Sequence, residues 1–173
     1  MADEAPQTDL NPNGEAPAPG DMPQVAAIAQ YTKDLSVENP SAPMVYQWQA
    51  QPQLDVQFNL NANQVGDDLH EVTLKIDLKA ASEQGMHFIV DLTYAGLFAI
   101  RNVPAEALAP FVMIEAPRLL FPFARQAIAE AVTSMNFPPV LLDPIDFASA
   151  YMQQMQAQQG EQASGAPDAT RDA

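Results

Sequence analysis

The sequence of 173 residues predicts one α+β domain, with a four-stranded antiparallel sheet in its first half and two main helices in its second half. Three observations favour this fold class. Apolar and polar residues alternate in four segments between residues 31 and 98, as in strands with one buried face. The segments 64–68 and 81–85 are turn-like and short enough to join antiparallel neighbours. After Phe98 the period of two ends, and from about Arg118 the apolar residues follow the period of a helix.

The four predicted strands each have one apolar and one polar face, so we expect a sheet that water reaches on one side. In the first, over residues 31–38, strict alternation places Tyr31 and Lys33 beside Leu35 and Val37 on the core side. The strands over 54–61, 71–79 and 86–98 direct these side chains to the core: Leu54, Val56, Phe58, Leu60, Val72, Leu74, Ile76, Leu78, Met86, Phe88, Val90, Leu92, Tyr94 and Phe98. The opposite, polar faces carry Asp34, Ser36, Glu38, His87, Ile89, Asp91 and Thr93.

In the second half of the chain, the helical pattern of apolar residues is weak over residues 103–117 and clear from about residue 118 onwards. Three prolines within residues 103–117 predict a short helix and irregular chain. From about Arg118 to Met135 an apolar stripe predicts a long helix, which Pro138 and Pro139 end: Leu120, Ala124, Ala127, Ile128, Ala131, Val132 and Met135. A last helix begins at about Asp146, whose carboxylate can cap it, with Phe147, Tyr151 and Met155 on one side.

Charge divides the chain into three parts. Its 22 acidic and 7 basic residues give a formal charge of -15. Residues 1–26 are acidic and rich in Pro, and 153–173 are a helix end followed by a Gln/Ala-rich stretch, so both are predicted to be disordered tails. The segment 27–152, the predicted folded domain, carries -8 of the total. This balance disfavours nucleic acid as a partner and favours a basic one.

The sequence offers no recognisable catalytic, metal or cofactor site. It has no cysteine, no glycine motif for phosphates and no serine-nucleophile motif. His70 and His87 lack metal-ligand spacing, and we expect both at the surface. A secretory signal is absent from the N-terminal residues, and no apolar run approaches the ~20 residues of a membrane span. We therefore expect a cytoplasmic binding protein without direct membrane insertion, and not an enzyme.

Five sequence blocks closely resemble the SecB family of bacterial protein-export chaperones. They are YTKDLSVENPSAP (31–43), GDDLHEVTL (66–74), AGLFAI (95–100), LLFPFAR (119–125) and NFPPVLLDPIDF (136–147). The resemblance implies a homotetramer, a dimer of dimers whose long helices lie between the sheets. It also implies a chaperone that keeps precursor proteins unfolded and passes them to the ATPase SecA, with no cofactor and no ATP hydrolysis of its own.

The resemblance implies a SecA-binding site on the outer surface of the sheet. Family members receive the basic, zinc-bearing C-terminal segment of SecA on acidic residues there. The matching positions are Asp34, Glu38, Ile89 and Asp91. Asp91 keeps the charge but is one methylene shorter than the Glu more common at that position. From the residues alone, solvation of an exposed sheet face is the favoured explanation of these acids, and the resemblance reverses that preference.

Unfolded clients share exposed apolar side chains and no fixed shape, so flexible Met and aromatic residues suit a surface that binds them. The candidates lie in three segments of the chain and could also be core or subunit interface: Met44, Val45, Tyr46, Trp48, Phe98, Phe111, Val112, Met113, Ile114, Tyr151 and Met152. Two other functions stay open. One is a general acidic protein-binding module without an export role, and the other is an enzyme with an apolar pocket between sheet and helices.

Overall fold

The computed structural model describes residues 22–164, with side chains through residue 157. Strands β1 (Gln24–Glu38), β2 (Gln53–Gln64), β3 (Leu69–Ser82) and β4 (Gly85–Arg101) form one antiparallel sheet in the order β1-β4-β3-β2. The helices α1 (Ala105–Pro110), α2 (Ala116–Ser134) and α3 (Phe147–Ser164) follow. The predicted α+β class and four-stranded antiparallel sheet are confirmed. β1 begins inside the segment assigned to the N-terminal tail, and the rest of that tail, like residues 165–173, lies outside the described residues.

The core lies between the central strands and α2. Val72, Leu74, Ile76 and Leu78 of β3 are fully buried, as their alternation predicts, and β4 contributes Phe88, Val90, Leu92, Tyr94 and Phe98. The predicted stripe of α2 packs against them, with Leu120, Ala124, Ile128 and Val132 fully buried. Gly96 of β4 allows this close approach, because a Cβ there would lie 2.7 Å from Leu120 Cδ2.

Strict alternation fails in β1. The register against β4 shifts between Thr32 and Asp34, so Tyr31 pairs with Ala95 and Asp34 with Thr93. The extra residue brings Tyr31 and Lys33 to the outer side of the sheet, where both bond to Glu71 of β3. The predicted core-side position of these two residues is therefore wrong.

His87 is also misplaced by the prediction. The register between β3 and β4 shifts so that Ala80 pairs with Phe88 and Ala81 with Met86. No residue of β3 therefore lies opposite His87 in the strand pairing. This bulge turns His87 to the same side as Phe88, and the imidazole is buried at 5% exposure. His87 is not a solvated surface residue.

The helical segment Ala105–Ser134 is continuous, which corrects the predicted irregular chain. A π-helical turn, Phe111–Glu115, joins α1 to α2 and lies between Pro110 and Pro117. A wider turn relieves the clash of a proline ring with the carbonyl four residues earlier. With a mean hydropathy of 1.4, this helical stretch is long and apolar enough to cross a membrane, whereas the sequence analysis expects no membrane span. Its buried stripe packs on the sheet, as in the core helix of a globular domain.

Asn136, rather than the prolines, ends α2. Its φ of 65° is left-handed, and its N–H donates to Thr133 O while that of Phe137 donates to Val132 O. This pattern is a Schellman cap, which reverses the chain direction. Pro138 and Pro139 follow the cap and belong to the irregular segment 137–146 before α3. Asp146 caps α3 as predicted, since its carboxylate accepts from Ser149 N at 3.0 Å.

Candidate functional site

Two largely apolar pockets lie along the core side of β2. The first lies between the β1–β2 connection, the start of β2 and the segment after α2, and is lined by Val45, Tyr46, Trp48, Ala50, Gln51, Pro52, Leu54, His87, Phe88, Phe137, Pro138, Pro139, Val140 and Leu141. The second lies between β2, the π-helical turn and α3, and is lined by Phe58, Asn59, Leu60, Met113, Ile145, Phe147, Ala150, Tyr151 and Gln154. We call the two pockets together the β2 groove, because both lie against the same side of this strand. From Leu54 to Leu60 the strand spans about 20 Å.

The β2 groove is open because β2 is an edge strand that no helix fully covers. Leu54 and Phe58 are 48% and 40% exposed, although both point to the core side. The ring of Phe58 contacts that of Phe121 in α2 edge-on, at 6.4 Å between ring centroids, which shows that Phe58 points to the core side. Leu141 on the opposite wall is 64% exposed. Exposed apolar side chains that form a row along a strand are suited to bind an extended apolar segment of another chain.

Two hydrogen bonds fix the Trp48 end of the groove. Asn39 Nδ2 donates to Tyr46 Oη at 2.8 Å, and Tyr46 Oη donates to the carbonyl of Met135 at 2.9 Å. The β1–β2 connection is thereby tied to the end of α2. Phe137, turned back by the cap on α2, packs against Phe88 with tilted rings, at 4.9 Å between ring centroids, and forms the base of the opposite wall.

The structure brings together only some of the predicted client-binding residues. Val45, Tyr46 and Trp48 line one end of the groove, and Met113 and Tyr151 line the other. Met44 and Met152 are exposed beside these ends in the chain, and Phe111 and Ile114 are half-buried. Phe98 and Val112 lie in the core, at 0% and 8% exposure, and neither lines the groove.

Alternation does not identify several groove residues. It places Leu54, Phe58 and Leu60 on a buried face, because it cannot show whether anything covers an edge strand. For residues 137–141 the sequence predicts only that Pro138 and Pro139 end the preceding helix. Two prolines followed by Val140 and Leu141 were a usable signal, since irregular Pro-rich backbone leaves apolar side chains poorly covered.

The opposite side of the sheet carries an acidic face, which we define as Asp34, Glu38, Asp55, Asp77 and Asp91 with Ile89. The strand register assembles it from all four strands. Glu38 pairs with Ile89, which pairs with Lys79, which pairs with Asp55. In the next row Ser36 pairs with Asp91 and Asp91 with Asp77. The four residues matched to a SecA site thus lie on the neighbouring strands β1 and β4. Asp34 and Glu38 are about 13 Å apart along β1.

Asp77 and Asp91 form a close carboxyl pair at the centre of this face. The hydrogen bond between them raises the pKa of Asp91 and lowers the pKa of Asp77, so Asp91 is the carboxyl of the pair that takes up a proton more readily. Partial burial adds to the rise at Asp91. Lys75 Nζ lies 3.0 Å from Asp77 Oδ1, and this bond raises the pKa of the amine.

A separate ion pair lies beside the acidic face on the same side of the sheet. Lys33 Nζ lies 2.7 Å from Glu71 Oε2, and Tyr31 Oη donates to Glu71 Oε1 at 2.5 Å. The bond from Lys33, followed by that from Tyr31, lowers the pKa of Glu71. Lys79 pairs with Asp55 in the strand register, and the Lys75 amine interacts with Asp34. The acidic face therefore carries five carboxylates against the two amines of Lys75 and Lys79. Within residues 22–164 no group of three or more His, Asp or Glu is placed to hold a metal ion.

Comparison with known proteins gives consistent matches. The family model described as "SecB: Preprotein translocase subunit SecB" matches residues 19–158. The Protein-export protein SecB of Sphingopyxis alaskensis is 54% identical over 173 residues, covering 96% of this chain and 98% of that protein. The corresponding protein of Zymomonas mobilis is 56% identical over 137 residues, covering 79% and 84%.

A solved structure has the same fold. It is the SecB-like chaperone of Mycobacterium tuberculosis in complex with a ChAD peptide from the HigA1 antitoxin. The TM-score is 0.57 at 17% identity, and the match covers 70% of this chain and 90% of that one.

Proposed function

Because this chain belongs to the SecB family of protein-export chaperones, we propose that it is a cytoplasmic holdase that keeps precursor proteins unfolded and delivers them to SecA. The observation that carries this proposal is the division of one sheet into two surfaces. The β2 groove offers apolar side chains on one side, and the acidic face offers an excess of carboxylates over amines on the other. A chaperone can therefore hold a client and contact a basic partner at the same time.

Clients bind in the β2 groove by apolar burial. At about 25 cal/mol per Å² of apolar surface, groove side chains of this size contribute one to a few kcal/mol each. We expect the double variant Leu54→Ser/Phe58→Ser to weaken binding of a reduced, alkylated precursor at least tenfold. Gln57→Ser is the matched control, since Gln57 lies on the same strand but faces outward and is exposed. Equal affinities of all three proteins in titration calorimetry would remove the groove from the proposal.

SecA binds on the acidic face through its basic C-terminal segment. Exposed charge pairs contribute only about 0.2 to 1 kcal/mol each, so several must act together. The double variant Asp34→Lys/Glu38→Lys should abolish binding of that segment and leave the affinity for the unfolded precursor unchanged. Asp67→Lys/Glu83→Lys makes the same change in net charge in two exposed turns and should retain binding. Unchanged affinity for the SecA segment in the first variant contradicts this site.

Apolar surface left on the single chain supports assembly as a homotetramer. Leu119 and Phe123 of α2 are 49% and 55% exposed on the helix side away from the sheet, and Leu35 and Val37 of the edge strand β1 are also exposed. Light scattering should give a tetramer mass for the wild type and a smaller one for Leu119→Glu/Phe123→Glu. Gln126→Glu, exposed on the same helix, is the control. A monomeric wild type that ignores a denatured precursor refutes the proposal.

The alternative is a general acidic binding module without an export role. It shares the groove and the acidic face but does not bind the SecA segment. Measuring that binding separates the two proposals directly.

A further inference from the structure

Three side chains on the outer side of the sheet connect two strands that are not neighbours. Tyr31 Oη donates to Glu71 Oε1 at 2.5 Å, and Lys33 Nζ donates to Glu71 Oε2 at 2.7 Å. Tyr31 and Lys33 belong to β1 and Glu71 to β3, and β4 lies between these strands. Ala95 of β4 pairs with Tyr31 and is fully buried, although alternation along β4 places it on the outer side. We call Tyr31, Lys33 and Glu71 the β1 clamp.

The β1 clamp lies at a register shift of β1. Tyr31 pairs with Ala95 and Asp34 with Thr93, so β1 has one residue more than β4 between these two pairs. The extra residue is Lys33, which lies opposite no residue of β4 in the strand pairing. Because the extra residue reverses the alternation, Tyr31 before it and Asp34 after it both lie on the outer side.

The place of this extra residue decides the side on which Asp34 lies. If it were two positions later in β1, Lys33 would pair with Thr93 and Asp34 with Leu92, whose side chain is fully buried in the core. Asp34 would then point away from the acidic face, while the pairing of Glu38 would not change. The alternation of β1 does not distinguish the two placements, so contacts outside the strand must fix the observed one.

The bonds of the β1 clamp favour the observed placement. The Glu71 side chain is 12% exposed, so its carboxylate is largely removed from water. Loss of a donor to such a charge is costly, because the charge is then left unpaired. Glu71 pairs with Leu97, on the far side of Ala95 from Thr93. A later extra residue would therefore draw Lys33 towards Thr93 and away from the Glu71 carboxylate.

We propose that the β1 clamp positions Asp34 for the binding of SecA. Its three members are positioning residues of the acidic face, although they do not belong to it. Lys33 acts in spite of its charge, because an amine beside the acidic face repels a basic segment. Its bond to Glu71 favours binding by more than this repulsion opposes it. This inference rests on the proposed function, since the acidic face must bind SecA.

The direction of the effect of Lys33→Met separates positioning from simple electrostatics. The variant loses a positive charge beside the acidic face, so charge alone predicts tighter binding of a basic peptide. We instead expect a fluorescein-labelled peptide of the basic C-terminal segment of SecA to bind at least about threefold more weakly, as measured by anisotropy on the full chain. Lys79→Met is the matched control. It removes an amine opposite Asp55 on the same outer side but outside the β1 clamp, and it should bind the peptide more tightly.

Two further variants keep the net charge of the protein. Tyr31→Phe removes one bond to Glu71 and should weaken peptide binding. Lys33→Arg keeps a cation that can bond to the same carboxylate, so it should bind the peptide more tightly than Lys33→Met does. All these variants should bind a reduced, alkylated precursor like the wild type, because the β2 groove lies on the other side of the sheet. Peptide affinity at or above the wild-type value in Lys33→Met or Tyr31→Phe overturns the inference, as do equal affinities of Lys33→Arg and Lys33→Met.

Disulfide formation reports the place of the extra residue directly. The chain has no cysteine, so an introduced pair can bond only within itself or to a second copy, which mass spectrometry distinguishes. Asp34 and Thr93 lie opposite each other, and opposite Cα atoms of antiparallel strands are about 4.5 to 5.5 Å apart, within the range of a disulfide. Asp34→Cys/Thr93→Cys should form an intrachain disulfide readily with oxidised glutathione, and more slowly when Lys33→Met is added. Equal rates overturn the inference.

The SecA site itself is tested separately by Asp34→Lys/Glu38→Lys. If that variant binds the SecA peptide like the wild type, the proposed site fails. If it loses binding while Lys33→Met and Tyr31→Phe bind like the wild type, only the role of the β1 clamp fails.

Discussion

Gly96→Ala tests whether the contact between sheet and α2 is as tight as the structure shows. The added Cβ would lie 2.7 Å from both Leu120 Cδ2 and Phe98 Cε2, well inside van der Waals contact. Both neighbours are fully buried, so neither can move aside without disturbing the core. Overpacking of this kind costs about 1 to 3 kcal/mol. The backbone of Gly96 is not in the left-handed region, so the cost is steric.

The assay is urea unfolding followed by Trp48 fluorescence, at one fixed protein concentration because an oligomer's stability depends on concentration. Gly66→Ala is the control, since its Cβ would meet Leu69 at an ordinary 3.4 Å, and we expect a change below about 1 kcal/mol. Leu120→Val removes the obstructing Cδ2 and should partly restore Gly96→Ala in the double variant. A Gly96→Ala protein as stable as the wild type would refute the reasoning.

Three further predictions concern the helix, its cap and the carboxyl pair. Ile128→Ala should lower the free energy of unfolding by about 2 to 5 kcal/mol in urea, whereas exposed Gln126→Ala should change it by less than about 0.5 kcal/mol. Asn136→Ala should cost about 1 kcal/mol and Asn136→Gly less, because only Gly and Asn readily adopt the left-handed cap. The raised pKa of Asp91 means that its contribution is favourable below the unfolded value of about 3.9 and is lost as the pH rises through the higher folded value. Asp91→Asn should therefore stabilise by a few tenths of a kcal/mol at pH 7, with the difference vanishing near pH 4, as measured by urea unfolding across that range.

The central strands could be predicted because local pattern and environment agree there. β3 has a neighbouring strand on both sides and a helix over one face. Alternation alone therefore identifies Val72, Leu74, Ile76 and Leu78 as core residues. The failures at Tyr31 and His87 have a common cause, since each lies beside a register shift that is set by pairing with a distant strand. No local period contains that information.

The two candidate surfaces differ in how much the sequence reveals. Asp34, Glu38 and Asp91 follow from the alternation and the resemblance. The contact of Asp91 with Asp77 depends on the register between β3 and β4 and could not be predicted. For the groove, the apolar residues of β2 were recognised, but their exposure depends on where Asn136 directs the chain after α2.

The strand order has a consequence for synthesis of the chain. β1 is made before the other strands, yet its neighbour in the sheet is β4, and the pairs between them run from Glu38 with Ile89 to Gln24 with Arg101. Arg101 lies 63 positions after Glu38, so at about 5 to 20 residues per second roughly 3 to 13 seconds pass before β1 can pair along its whole length. During that interval β2, β3 and β4 can form a hairpin meander as they emerge, whereas β1 remains an unpaired strand carrying Val25, Leu35 and Val37. Its charged residues Lys33, Asp34 and Glu38 then protect the nascent chain against edge-to-edge aggregation. During its own synthesis, a protein that we propose to keep other chains unfolded therefore has a first strand that is not yet paired.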